Sequence, residues 1–141
     1  MATTIKRDPE FDARVERIAR ARLNAAVQLV RNRVVVLINR TQPTRTTASG
    51  RKIGLSPSLP GEPPKRLTGA LVRSIVAGVA KDGQTLRGFV GTNRQGARRL
   101  EFGFSGADAR GRVINQAPRP FLRRGLMESR DAVRRALIGE A

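Results

Sequence analysis

The side chains that most often carry catalysis or bind metals are missing from this sequence. Its 141 residues include no cysteine and no histidine, which removes thiol nucleophiles, imidazole bases and the usual zinc, copper and haem ligands. Among the carboxylates of the last third, Glu101, Asp108, Glu128 and Asp131 show no spacing typical of a metal site. We therefore predict a protein that is not an enzyme and that binds no cofactor or metal.

Two further patterns could be mistaken for catalytic or phosphate-binding motifs. The run GRKIGLS at 50–56 lacks the four-residue spacer of a phosphate-binding loop, and no predicted strand precedes it. Glu128 and Asp131 stand among five nearby arginines, a pattern that favours salt bridges on a helix surface. Neither pattern predicts a catalytic site.

The charge of the chain indicates a polyanionic partner. There are 28 basic and 11 acidic residues, a net charge of +17, and 24 of the basic residues are arginine. Arginine binds phosphate through paired hydrogen bonds and stays charged at any usable pH. We therefore expect nucleic acid to be the polyanion that this protein meets.

The elements that position these side chains are expected to form one α+β domain over residues 1–141. We predict a long N-terminal helix within 1–40 and a flexible basic loop rich in Pro, Gly and Thr over 41–66. Residues 67–141 are expected to form an α+β core with a short helix, a small antiparallel sheet built on a hairpin, and a closing helix.

The N-terminal helix is predicted to run from Asp8 to Asn39. Asp8 followed by Pro9 is a typical helix start, and apolar residues recur at steps of three and four from Phe11 to Leu37. Such a helix would be about 48 Å long at 1.5 Å per residue, which is longer than a domain of this size requires. We therefore expect part of it to pack on a neighbouring subunit.

The basic loop supplies the candidate contacts to DNA or to a neighbouring subunit. Glu62 is its single acidic residue. A connection of this length is either functional or disordered, so a solvated and mobile loop is the alternative interpretation. The candidate contact residues are Arg45, Arg51, Lys52, Lys65 and Arg66.

The remaining segments predict the elements of the core. Thr68 is expected to cap a short helix that ends near Ile75. The Asp-Gly pair at 82–83, between two β-leaning runs, predicts a hairpin with a two-residue turn. A closing helix is expected over 119–138. No apolar run approaches the roughly 20 residues needed to cross a bilayer, and the N-terminus lacks the apolar block of a secretory signal, so we expect an intracellular protein without a membrane partner.

Four segments of the chain stand in a fixed order: PGEPP at 60–64, LTGALVRSI at 67–75, LEFGF at 100–104 and APRPFLRRGL at 117–126. In this order they resemble the tail-completion proteins of long-tailed double-stranded DNA bacteriophages, which are also described as head–tail joining or neck proteins and as minor tail components. The resemblance covers about residues 56–126. Its residues are Pro60, Gly61, Pro63, Pro64, Thr68, Gly69, Leu71, Ile75, Glu101, Phe102, Gly103, Pro118, Pro120 and Phe121.

The resemblance implies a small structural protein without catalysis, assembled as a ring at the end of the tail that meets the capsid. The implied partners are copies of itself, with a hexamer expected, the neighbouring tail-terminator and head-connector or stopper proteins, and genomic double-stranded DNA contacted through its backbone. The implied location is the tail or neck of the virion, after assembly in the cytoplasm of a bacterial host. The alternative hypothesis, based on charge alone, is a sequence-neutral nucleic-acid-binding protein.

Overall fold

The computed structural model describes residues 6–140, within which there are five helices and six short strands. The helices are α1 (Pro9–Ile38), α2 (Ala70–Arg73), α3 (Ala97–Phe102), α4 (Leu122–Glu128) and α5 (Arg130–Ile138); the strands are β1 (Thr44–Thr46), β2 (Lys52–Gly54), β3 (Val76–Asp82), β4 (Thr85–Gly91), β5 (Phe104–Ala107) and β6 (Val113–Gln116). This confirms the predicted α+β fold. The first five residues of the predicted segment 1–40, and the last residue of the chain, lie outside the described range.

Helix α1 begins and ends within one residue of its predicted bounds. The Asp8 carboxylate accepts a hydrogen bond from the backbone N–H of Glu10 at 3.0 Å, and Pro9 occupies the first turn. Thirty residues at 1.5 Å each give a length of about 45 Å.

The two halves of α1 differ in burial. In the C-terminal half, Val30 is 7% exposed and Val34 is fully buried. In the N-terminal half, Phe11 is 62% exposed, Val15 48% and Ile18 44%. The apolar stripe predicted for the whole helix is therefore buried in the core only in its C-terminal half, as expected for a helix that extends beyond its own core.

The hairpin of β3 and β4 packs on α1 through the predicted face. Ala77 lies opposite Val90 and Val79 opposite Gly88, so these four residues share one side of the pair. A Cβ atom at Gly88 would stand 2.5 Å from a methyl carbon of Val27, so the absence of a side chain lets the strand approach the helix closely.

The turn of this hairpin is displaced by one residue from the prediction. Asp82 pairs with Thr85, which leaves Gly83 and Gln84 as the two turn residues. Gly83 has φ 59°, and because only glycines have positive φ in the described chain, Gln84 does not. A positive φ at the first turn residue alone fits a type II′ turn. Asp82 is therefore the last residue of β3 and not part of the turn.

The strands form three separate antiparallel pairs, β1–β2, β3–β4 and β5–β6, and not the single small sheet that was predicted. The first pair lies inside the predicted loop 41–66, where Arg45 is opposite Ile53. Nearly every side chain of these three-residue strands is exposed. The strands therefore lack the alternation of apolar and polar residues that would have indicated them in the sequence.

The predicted closing helix consists of two helices, α4 and α5, which meet at Ser129. This serine is 6% exposed, and its ψ of −3° departs from the value of about −42° found within α-helices. Its N–H donates to the carbonyls of both Gly125 and Leu126, which tightens the last turn of α4. Gly125 is buried against Val34 of α1, and a Cβ atom there would collide with that valine.

The short helix α2 starts one residue later than predicted, because Gly69 and not Thr68 occupies its N-cap position. Gly69 has φ 76°, a conformation that glycine adopts at little cost. The Thr68 hydroxyl still accepts a long hydrogen bond, at 3.4 Å, from the backbone N–H of Ala70. Just after α2, Ile75 is 2% exposed and joins Val34 and Phe121 in the main core.

Candidate functional site

A buried carboxylate joins two of the four segments that carry the family resemblance. Oε2 of Glu101 accepts hydrogen bonds from the backbone N–H groups of Phe121 at 2.8 Å and Leu122 at 3.0 Å, and Oε1 accepts one from Arg123 at 2.9 Å. Glu101 is only 8% exposed. These N–H groups open α4 and have no partners within the helix, so Glu101 caps α4 from 20 residues away in sequence.

Backbone hydrogen bonds connect a third segment to the same place. The N–H of Arg119 donates to the carbonyl of Leu100 at 2.6 Å, beside Glu101. The N–H of Gly61 donates to the carbonyl of Pro118 at 2.9 Å, which ties the PGEPP turn to the APRPFL segment. We call this meeting of 60–64, 100–104 and 117–126 the motif junction.

Close packing at the motif junction explains why phenylalanine stands at position 121 and glycine at position 103. Phe121 is fully buried. Gly103 has φ 76°, and a Cβ atom there would lie 2.8 Å from the carbonyl oxygen of Gln116 and 3.1 Å from Pro118. A side chain at Gly103 would require the backbone to move, and a smaller residue at Phe121 would leave a cavity.

The other residues of the resemblance are distributed between core and surface. Phe102, between Glu101 and Gly103, is 74% exposed and so has no packing role within the chain. Pro63, Pro64 and Gly69 are buried, Leu71 and Pro120 are half-buried, and Pro60, Gly61, Thr68 and Pro118 are exposed.

The five basic residues predicted as contacts do not form one surface. Arg45 and Lys52 occupy adjacent positions of the β1–β2 ladder, so their side chains project to opposite faces of the hairpin, and Arg51 precedes β2 near its turn. Lys65 and Arg66 lie elsewhere, beside a cavity bordered by α2. The predicted group is therefore divided into a hairpin set and a cavity pair.

The cavity beside Lys65 and Arg66, called here the basic cavity, has a volume of about 300 Å³. Arg94 and Arg119 also line it, and no carboxylate is among the residues that form its wall. Arg94 and Arg119 were not predicted as contacts, because 28 and 53 residues separate them from Arg66 along the chain.

An apolar groove of about 400 Å³ lies between α1, β4 and the two C-terminal helices. Val27, Val30, Phe89 and Leu126 are among the residues that line it. It adjoins a second apolar depression in which Leu86 and Leu137 face the exposed stripe of α1. Together the groove and the depression leave apolar side chains of α1, β4 and α5 accessible at the surface.

Ion pairs attach α1 to the hairpin and to α4. Lys81 and Arg20 donate hydrogen bonds to Glu16, and they hold the pKa of that carboxyl below its usual value. Arg124 and Arg33 do the same for Glu128, whose pKa is also lowered. The predicted salt bridging on the C-terminal helix is therefore confirmed for Glu128, which additionally reaches across to α1.

Asp108 organises the turn between β5 and β6. Its carboxylate accepts hydrogen bonds from the side chain and backbone N–H of Arg112 and from the backbone N–H of Arg110, and these bonds lower its pKa. A nearby contact that sequence reasoning missed is the guanidinium of Arg99, which lies 4.1 Å from the ring centroid of Phe104.

Within residues 6–140 there is no group of three or more acidic, cysteine or histidine side chains that could hold a metal ion. Over the same residues no helix is long and apolar enough to cross a membrane. Comparisons of the chain with family models, with curated proteins and with solved structures found no match.

Proposed function

We propose that this protein is a structural, non-catalytic subunit of a bacteriophage virion, which completes the tail and forms a ring around the DNA channel at the head–tail junction. The observation that carries this proposal is the ordered resemblance to tail-completion proteins. Three of its four segments meet in the motif junction, where Glu101 and Gly61 connect parts of the chain 20 and 57 residues apart. Residues that define a family are expected to share a structural role, and the residues of these three segments do so by holding the motif junction together.

The surface of the chain supports assembly with neighbours. Its accessible area is 10679 Å², whereas a compact monomer of this mass is expected to expose about 7,200 Å². A ring subunit loses roughly 800 Å² to each of two neighbours in interfaces of standard size. The excess area is more than sufficient for two such contacts.

The exposed stripe of α1 and the apolar groove support contacts between copies of the chain. Phe11, Val15 and Ile18 form an exposed apolar stripe, part of which lines the second depression, and the groove beside Val30 and Leu126 is a further apolar surface. Contacts between two different surfaces are head-to-tail, and such contacts form a ring when the rotation from one copy to the next closes. We expect the ring to be a hexamer.

Charge supports a position next to DNA. The net charge of +17 is carried mostly by arginine, and phosphate contacts of this kind fix position without reading sequence. The proposed partners are therefore further copies of this chain, the tail-terminator and head-connector or stopper proteins on either side, and the backbone of the genome. The proposed location is the neck of the virion, after assembly in the bacterial cytoplasm.

Disruption of the gene in the phage or prophage that encodes it tests this function. We expect DNA-filled heads and separate tails in the lysate, and joined particles again when the intact chain is supplied from a plasmid. Joined, infectious particles without the chain would contradict the proposal.

A sequence-neutral nucleic-acid-binding protein is the second candidate, and the same charge favours it. In that case the isolated monomer should bind short duplex DNA tightly, with an affinity that falls steeply as salt increases. A neck subunit should bind DNA well only after it has assembled into a ring.

A further inference from the structure

We propose that the basic cavity is a binding site for a multiply charged oxyanion of the phosphate class. The site belongs to the isolated chain and goes beyond the proposed role in head–tail joining, because it needs neither a ring nor a partner. Its wall comes mainly from the segment 64–72, with further residues from the end of α1, Gln42, residues 57–58, Arg94 ahead of α3, Leu100 within α3, and Arg119 of the motif junction.

The charges that line the cavity lack compensation. Lys65, Arg66, Arg94 and Arg119 contribute to its wall and no carboxylate does. None of the seven ion pairs among the described residues involves any of these four side chains. Like charges held together repel one another, so an anion that enters between them relieves an unfavourable interaction.

The polar contacts of these cations within the chain are with neutral groups. The Lys65 ammonium donates to the backbone carbonyl of Ser56 at 3.1 Å and to its hydroxyl at 3.4 Å. Arg66 donates to the side-chain oxygen of Asn39 at 3.3 Å. Neutral acceptors leave the positive charges in place, and each guanidinium keeps further N–H groups for a ligand.

Unsatisfied buried atoms point to the same cavity. Across residues 6–140, two buried side-chain polar atoms have no hydrogen-bond partner: Nε of Arg119 and Oε1 of Gln42. Both residues line the basic cavity. A buried guanidinium N–H without an acceptor is costly, and an anion oxygen would satisfy it. Oε1 of Gln42 is an acceptor that lies against Gly54, outside the cavity wall, so within the described residues Arg119 supplies the unsatisfied donor for the ligand.

The volume and the positive charge of the basic cavity favour phosphate over a carboxylate as its ligand. A volume of about 300 Å³ is roughly ten times the share of a water molecule in the liquid, which is ample for a tetrahedral oxyanion. Four positive charges exceed what a single carboxylate could neutralise. The planar guanidinium forks of three arginines suit the paired oxygens of a phosphate group.

The test is a calorimetric titration of the full chain with inorganic phosphate, against chloride at equal ionic strength. We expect saturable binding near one phosphate per chain. Arg119→Gln and Arg94→Gln should each weaken it by roughly tenfold or more, since each removes a charged hydrogen-bond donor. Arg45→Gln and Arg134→Gln remove the same charge outside the cavity and should leave the affinity nearly unchanged.

Two controls keep the result interpretable. Arg94 is exposed and its side chain makes no hydrogen bond within the described chain, so Arg94→Gln tests the cavity even if Arg119→Gln unfolds the protein. Circular dichroism checks the fold of each variant. Absence of saturable phosphate binding, or equal weakening by cavity and control variants, would overturn the site.

A competition experiment distinguishes two sources of the phosphate group, namely the nucleic-acid backbone and the free ion. If a short DNA duplex displaces inorganic phosphate and Arg94→Gln weakens DNA binding more than Arg45→Gln does, the site takes a phosphate of the nucleic-acid backbone. If DNA leaves phosphate binding unaffected, the site takes the free ion. Either result supports the oxyanion site, and neither depends on whether heads and tails join in the absence of the chain.

Discussion

A single carboxylate, Glu101, connects regions of the chain that lie far apart in sequence. It accepts three backbone hydrogen bonds at the start of α4, where Phe121 occupies the N-cap position and offers no side-chain acceptor. From the sequence, Glu101 was noted only as part of the family resemblance. The long-range cap could not be predicted, because the usual capping signal lies within three residues of the helix it serves.

Replacement of Glu101 by alanine should destabilise the fold strongly. One buried and two partly buried N–H groups would lose a charged acceptor, and we expect a loss of about 3 kcal/mol in the free energy of unfolding. Urea denaturation measures this loss as a shift in midpoint. Glu140→Ala removes an exposed carboxylate near the chain end and is the matched control; an equal shift in both variants would show that Glu101 does not cap α4.

Gly125 stands inside α4, where glycine ordinarily weakens a helix, but here it has a packing role. Alanine at an exposed helical position is more favourable than glycine by about 1 kcal/mol, but here its Cβ would collide with Val34. We expect Gly125→Ala to cost about 1–3 kcal/mol through overpacking.

Val34→Ala supplies the test of this contact, because it removes the methyl group that obstructs the new Cβ. In a double-mutant cycle, the two substitutions together should destabilise less than the sum of their separate effects. Strict additivity of the two losses would contradict close packing between α1 and α4.

At the scale of elements, the sequence was most informative where apolar periodicity was long. Helix α1 and the inward face of the β3–β4 hairpin were predicted correctly, because both repeat an apolar pattern over many residues. The β1–β2 hairpin was missed because its short strands are held by backbone pairing and bury little. The break at Ser129 was missed because no proline or glycine marks it.

The attachment of α1 should depend on pH through Glu128. Arginine partners lower its pKa in the folded protein, so the unfolded chain binds a proton first as the pH falls. The stabilisation is therefore complete above the unfolded value of about 4.3 and is lost as the pH falls through the lower folded pKa.

Urea denaturation at pH 7, 5, 4 and 3 measures this contribution. The decrease in stability towards low pH should be shallower for Glu128→Gln than for the unmodified chain, and high salt should reduce the difference because the pair is partly exposed. Glu140→Gln is the control. A pH profile for Glu128→Gln that matches the unmodified chain would rule out this linkage.

At the scale of the whole molecule, the chain has a small core and a large surface. Eight buried apolar residues form its interior within the described range, while the exposed half of α1 and the apolar groove remain open. The apolar periodicity predicted the over-long helix, while the polyanionic partner indicated by the composition stays a prediction. Neither the periodicity nor the composition could predict the groove or the basic cavity, because each is formed by segments that meet only after folding.

The exposed stripe of α1 should matter for assembly and not for folding. We consider a triple variant with Phe11→Ser, Val15→Ser and Ile18→Ser. Its free energy of unfolding should change by no more than about 0.5 kcal/mol per site. When it is supplied from a plasmid, however, it should fail to restore head–tail joining. The control triple is Leu55→Ser, Leu59→Ser and Val113→Ser, which replaces residues that are 58%, 67% and 86% exposed elsewhere. Full rescue by the stripe variant would exclude this surface from the ring contact.

The most direct measurement for the proposed function is a cryo-electron microscopy reconstruction of particles that contain this chain. We predict a closed ring of copies at the end of the tail that meets the capsid, with α1 of each copy in contact with its neighbour and DNA passing through the centre. Density for the chain only in the capsid wall or at the distal tip of the tail would contradict the assignment to the head–tail junction.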